Sequence, residues 1–245
     1  MKGIYRLLAF TVVATTSPAQ FFDLPSHRDW ADRTVEAPNS WGTVSDQGPG
    51  GSISMARLRH RPPRKARQAF LRGMKFSQAG ADANAAAEFS KAAEFDPGFS
   101  EAHGNLGVEY TWMKRYEEAV PEFRRAIALD PATSFHHSNL AYTLIRLNHP
   151  DEAEAEAQTS VGLDGTNATA QFLLGLLLAR RPETLALCES HLVYAARTIP
   201  EAHRVLAWVY RAQGAAQNSG VELESYRRET ASRQSQDRLS FAPRP

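Results

Sequence analysis

A 34-residue step runs through the middle of this chain and constrains its fold more than any other feature. Gly73 and Gly107 stand one step apart, and Ala141 and Gly175 continue the series. Phe76, Tyr110, Leu144 and Leu178 form a second column at that spacing, Ala85, Ala119 and Ala153 a third, and Phe89, Phe123 and Ala157 a fourth. Ala92, Ala126 and Ser160 follow, and the units close at Pro97, Pro131 and Gly165, each with an aspartate immediately before it. Columns of different chemistry in one shared phase mark a structural unit copied along the chain, each copy burying a face that its neighbour supplies.

The pattern inside a unit is helical. In the second unit Ala119, Phe123, Ala126 and Ile127 recur at i, i+4, i+7 and i+8, which places one apolar stripe on one face, and Ala102, Leu106 and Tyr110 do the same in a helix ahead of it. A glycine inside a helix costs about 1 kcal/mol relative to alanine, so Gly107 within the leading stripe implies close approach of a neighbouring helix. Asp96-Pro97 and Asp130-Pro131 end the trailing helices, because proline disfavours helical geometry in the residue before it and cannot extend the ladder.

Leu106, Gly107, Tyr110, Ala119, Phe123, Ala126 and Pro131 together resemble the tetratricopeptide repeat family, and the resemblance extends over about Ala66 to Gly214. It implies an all-α fold: a right-handed α-solenoid of antiparallel helix pairs, with about four repeats plus a partial fifth or capping helix. The repeats fall near 66–99, 100–133, 134–167, 168–199 and 200–230, within a domain spanning 64–230. The fourth departs by one residue, since Ala195 and Pro200 lie 35 positions beyond Ser160 and Gly165; the spacing puts the extra residue near Arg180 to Thr184. Glu201-Ala202-His203 mirrors Glu101-Ala102-His103 and opens a further leading helix that turns near Gly214. Asn218-Ser219-Gly220 breaks the pattern, Glu222 to Arg228 reads as a polar capping helix, and 231–245 as a flexible tail.

Ahead of the repeats, residues 1–19 read as a targeting segment: Lys2 and Arg6, an apolar run from Leu7 to Ala14, then Ser17 and Ala19 beside a cleavage point after Ala19. The run is shorter than the roughly 20 apolar residues a spanning helix needs, which predicts a periplasmic or secreted product; retention as an uncleaved anchor is the alternative. Residues 20–63 read as a Pro/Gly-rich linker, largely disordered, in which Trp30 and Trp41 stand isolated. Arg57, Arg59, Arg61, Arg64, Lys65 and Arg67 make the junction basic, either as a solvated cap on the first helix or as a weak contact with anionic surfaces. Over the whole chain the formal net charge is only +1, so no global field directs it to nucleic acid or a membrane. One cysteine, Cys188, precludes an internal disulfide and leaves packing to hold the fold.

The resemblance implies that leading helices line a concave surface where a partner protein or peptide binds. Projecting the repeat phase onto it selects Phe70, Met74, Val108, Trp112, Phe135, Tyr142, Phe172, Leu176 and Trp208, an aromatic-rich set suited to an extended or helical apolar segment; packing between units would claim half of them. The family's chaperone-binding members hold a carboxyl terminus with Lys, Asn and Arg. Here Asn105 supplies one element, but Phe70, Met74, Phe135 and Asn139 stand at the others, so that clamp is not expected. Arg146, Arg180, Arg204 and Arg211 offer positive charge along the rim. His103, His136, His137, His149 and His203 show no His-x-x-x-His spacing, and Cys188 has no adjacent base. The sequence therefore predicts a non-enzymatic scaffold without cofactor or metal. A second reading is an accessory subunit of an envelope enzyme, or a weak hydrolase using the linker and the fourth-unit insertion.

Overall fold

The computed structural model describes residues 60–240; the targeting segment and residues 20–59 of the linker lie outside them. Among the described residues ten α-helices follow one another: α1 (Arg64–Gln78), α2 (Asp82–Phe95), α3 (Ser100–Trp112), α4 (Tyr116–Leu129), α5 (Ser134–Arg146), α6 (Pro150–Leu163), α7 (Ala168–Leu178), α8 (Leu185–Ala195), α9 (Glu201–Ala212) and α10 (Ala216–Ser240). Each odd-numbered helix packs against the even-numbered one after it, and each hairpin packs against the next in chain order. No strand occurs among the described residues.

The hairpins close through one recurring device. Gly80, Lys114, Asn148 and Gly214 all take positive φ, between 59° and 80°, at the turn from leading to trailing helix. The amide after each reaches back to a carbonyl five residues earlier, as in Arg115 N to Tyr110 O (2.8 Å) and His149 N to Leu144 O (2.9 Å), so orphan carbonyls at the helix end are satisfied. The fourth hairpin does this differently: its extra residue sits in a 3₁₀ turn, Pro182–Thr184, where the Thr184 hydroxyl bonds Leu178 O and Arg181 O.

Between hairpins the closing aspartates act as turn formers. Asp96, Asp130 and Asp164 each accept the amide two residues on with Oδ1, at 3.1, 3.4 and 2.8 Å. The third and fourth units are further joined by buried polar groups. Asn167 caps α7 by accepting Ala170 N at 3.0 Å, and its Nδ2 reaches Ser134 Oγ at 3.3 Å, while Ser160 Oγ donates to Ser134 O at 2.8 Å. Ser160 departs from the alanine column for that bond, and Asn167 is used inside the stack.

Small residues admit large partners across each hairpin. A Cβ on Gly73, Gly107 or Gly175 would lie 2.7 to 2.8 Å from the Phe89 ring, the Phe123 ring or the Leu192 side chain, distances no packed core accommodates without displacement. The core forms two buried clusters, one of α1 to α3 and one of α3 to α9, with Tyr110 packed against both.

At the carboxyl-terminal end the structure corrects the expectation. Asn218-Ser219-Gly220 does not interrupt the helix: α10 begins at Ala216 and continues to Ser240, so the segment from 231 is helical over its first ten positions rather than a loose tail. Burial of Ser219 and packing of α10 on α9 carry the helix through residues of low intrinsic propensity.

Candidate binding groove

Leading helices approach one another across units, α3 with α5 and α5 with α7, more closely than trailing helices do. Thr111 Oγ1 on α3 lies 3.2 Å from Thr143 Oγ1 on α5 at one such crossing. The stack therefore curves with α1, α3, α5, α7 and α9 on its inner side, and a hollow lined by leading helices is its extended concave surface.

Along this hollow the ten residues selected from the sequence divide by burial. Phe70 and Met74 belong to the core of the first hairpin, where the Phe70 ring lies 5.4 Å from Phe89 and 5.0 Å from Phe99, centroid to centroid. Val108, Tyr142, Phe172 and Leu176 are buried in the larger cluster. Trp112 and Trp208 pack against it while keeping part of their surface, and Phe135 is 36% exposed. Asn105 is half-buried, its Nδ2 donating to Glu101 O at 2.8 Å, a bond within its own helix.

Arginine side chains accompany the aromatic ones. Arg146, at the end of α5, donates from Nη1 to the Tyr142 hydroxyl at 3.3 Å and lies 5.2 Å from the Tyr116 ring centroid. Burial pushes the Tyr142 phenol above its ordinary pKa, partly opposed by Arg146. Arg180 follows α7 and approaches Asp151 at 3.9 Å; Arg204 on α9 stands 5.5 Å from the Tyr226 ring. Arg211 ends the same helix and is exposed. By contrast α5 and α7 carry no carboxylate. The described members of the basic junction, Arg61, Arg64, Lys65 and Arg67, are all exposed.

Three histidines have a structural use that their sequence positions did not disclose. His103, His137 and His203 each place Nδ1 against the carboxylate 19 residues on, Glu122, Glu156 and Glu222, at 2.7, 2.7 and 2.5 Å. Each pair clips a leading helix to its trailing helix. In the fourth hairpin the partners are exchanged, with His191 Nδ1 2.6 Å from Gln171 Oε1, one residue further because of the insertion. The signal was present as a repeated interval of 19, which crosses a turn and is invisible to any single-helix pattern. Cys188 is buried, its thiol donating to Leu185 O at 3.0 Å, and burial pushes its pKa up to about 11.

Residues 100–132 match the tetratricopeptide repeat family model. No curated protein matches the chain. Several solved structures share the fold. MamA (residue 41 to the end) from Desulfovibrio magneticus RS-1 superposes with a TM-score of 0.60 at 16% identity, covering 70% of this chain and 98% of its own. PilW, a widely conserved type IV pilus biogenesis factor, gives 0.61 at 20% identity, with 69% and 79% covered. YrrB, described as a TPR protein with an unusual peptide-binding site, gives 0.55 at 21%, with 66% and 84% covered. At these identities the likeness concerns the fold. One hairpin matches the tetratricopeptide repeat model and the others stack on it in the same phase, so the described chain has the fold of such repeats, a right-handed solenoid of antiparallel helix pairs.

Proposed function

We propose that the protein is a non-enzymatic scaffold whose hollow holds an extended or helical segment of another protein. One observation carries this reading: the leading helices carry aromatic side chains with remaining surface, Trp112, Phe135 and Trp208, and arginines stand on or just beyond the same helices, at Arg146, Arg180, Arg204 and Arg211. Tryptophan and arginine are the side chains most enriched where binding energy concentrates, and arginine recognises carboxylates through a planar fork of donors. The ligand that fits is a peptide segment carrying apolar or aromatic side chains and carboxylates. A peptide-binding site described for YrrB, a protein of the same fold, agrees with this.

The reading extends to location. A basic start, a short apolar run and small residues before Gln20 support export and removal of residues 1–19, with the scaffold acting in the periplasm or outside the cell. Amino-terminal sequencing of the accumulated protein should find Gln20 first; Met1 retained would contradict it. For the groove, partners captured by the full chain should be lost on Trp112→Ala with Trp208→Ala, and again on Arg180→Glu with Arg204→Glu. An unchanged set of captured partners would reject the hollow as the contact surface.

A further inference from the structure

The two ends of the stack are capped with different charge. Solubility requires a terminal helix to be polar on its outer side, but that requirement does not choose a sign. The far cap, α10, mixes both: Glu222, Glu224 and Glu229 stand with Arg227 and Arg228. The near cap, α1, carries Arg64, Lys65, Arg67, Arg72 and Lys75 with no acid, and no carboxylate occurs anywhere in positions 57–81. The imbalance holds on a larger scale. Residues 60–95 carry seven lysines and arginines against three carboxylates, whereas residues 96–232 carry twelve against eighteen.

Helix geometry gathers the cations of α1 on one side. At 3.6 residues per turn Arg64, Arg67, Leu71 and Lys75 fall within about a quarter of the circumference, opposite the buried Ala66, Ala69, Phe70, Gly73 and Met74. All four are exposed, as are Arg61 just ahead of the helix and Lys65 in its first turn. The acids of this hairpin lie on α2, at Asp82, Glu88 and Glu94. Glu88 is engaged within the hairpin, accepting Arg72 Nε at 2.6 Å and Lys91 Nζ at 2.5 Å. Among the described residues no ion pair uses Arg61, Arg64, Lys65, Arg67 or Lys75.

We propose that this side of α1 docks the protein on an anionic phospholipid surface. The contact is separate from partner binding in the hollow, since neither Trp112 nor Trp208 takes part in it. Charge complementarity carries the first half of the argument. Unopposed cations on one helix side suit a surface of repeated phosphate charge, where each basic side chain strengthens attachment by roughly fivefold. The apolar members carry the second half. Leu71 is 49% exposed in the middle of the cations, and Phe76 is 38% exposed at their edge. In water that apolar surface contributes nothing to stability. Against a bilayer it enters the boundary between headgroups and acyl chains, while the long basic side chains keep their charges at the phosphates. A polyanion in solution would use the cations and leave Leu71 idle.

Sedimentation of the full chain with vesicles tests this. Vesicles of phosphatidylglycerol and phosphatidylcholine in equal parts should take up the chain roughly tenfold or more strongly than phosphatidylcholine alone, and added salt should weaken the uptake. Arg64→Glu, Arg67→Glu and Lys75→Glu together should reduce uptake to the level of the neutral vesicles, with the helical circular dichroism unchanged. Leu71→Ser should lower uptake about threefold or more and leave binding of soluble polyphosphate unaltered. Equal uptake by both vesicle types, or uptake that survives the charge reversal, would overturn the proposal; attachment through the apolar run Leu7 to Ala14 would give that result. Polyphosphate binding that displaces the chain from vesicles, combined with no effect of Leu71→Ser on uptake, would make a soluble polyanion the partner and reject the lipid surface.

Discussion

Helices α1 and α7 occupy the same place in their repeats, with glycine in the same column, yet solve burial in opposite ways. α1 surrounds its stripe with Arg64, Lys65, Arg67, Arg72 and Lys75, whereas α7 has no charged residue and is buried along its length from Thr169. A helix at the end of a stack has a neighbour on one side only and needs a polar outer face. A helix in the middle is enclosed by its own partner and the hairpins on either side, and α7 there carries no charged residue. Position along the stack, rather than position in the repeat, sets the chemistry of a leading helix.

The largest effects should follow that contrast. Leu177 on α7 is 1% exposed, and Leu177→Ala should cost about 2–5 kcal/mol. Leu71 on α1 is 49% exposed, and Leu71→Ala should stay within about 0.5 kcal/mol. Urea unfolding of both variants checks this, and equal losses would erase the distinction. Next, Gly107→Leu should overpack against Phe123 and cost roughly 1–3 kcal/mol or more, with Gly175→Leu doing the same against Leu192. Unchanged thermal unfolding in either would contradict the repeat phase.

A smaller effect sharpens the comparison at the turns, where end and middle use one geometry. Gly80 and Lys114 both take positive φ, at 70° and 59°. A side chain there costs roughly 1–2 kcal/mol, offset in part by glycine's greater freedom when unfolded. Lys114→Gly should therefore stabilise the chain by up to about 1 kcal/mol, read as a raised midpoint in urea. The smallest effect at neutral pH concerns Cys188 on α8. Its folded pKa of about 11 lies above the ordinary value of 9.0, so the stability tied to the neutral thiol is intact below pH 9 and is lost as pH rises through 11. At pH 7.5 the folded chain should react with a thiol reagent far more slowly than the urea-unfolded chain; equal rates would place Cys188 at the surface.

Much of this architecture is legible in the sequence because the packing columns are chemical. Gly107 opposite Phe123 and proline after Asp130 are residue types with a single steric meaning at that spacing. The turn column is not legible in that way, since Gly80, Lys114, Asn148 and Gly214 share a backbone angle and no side-chain property. The groove was read in part. Repeat phase selects the leading-helix positions, but α7 carries no charged residue, so Phe172 and Leu176 give no periodic contrast between hollow and core. Nor does local pattern foresee that Asn218-Ser219-Gly220 stays helical, because docking against α9 decides it.

Native-state hydrogen exchange on the full chain measures the stack most directly, since each helix reports its own opening free energy. The amides of α5 and α7 should exchange slowest and together, with protection falling through α3 and α9 to α1 and α10. Protection that is uniform along the chain, or highest in α1, would contradict a stack whose enclosed middle hairpins hold its ends in place.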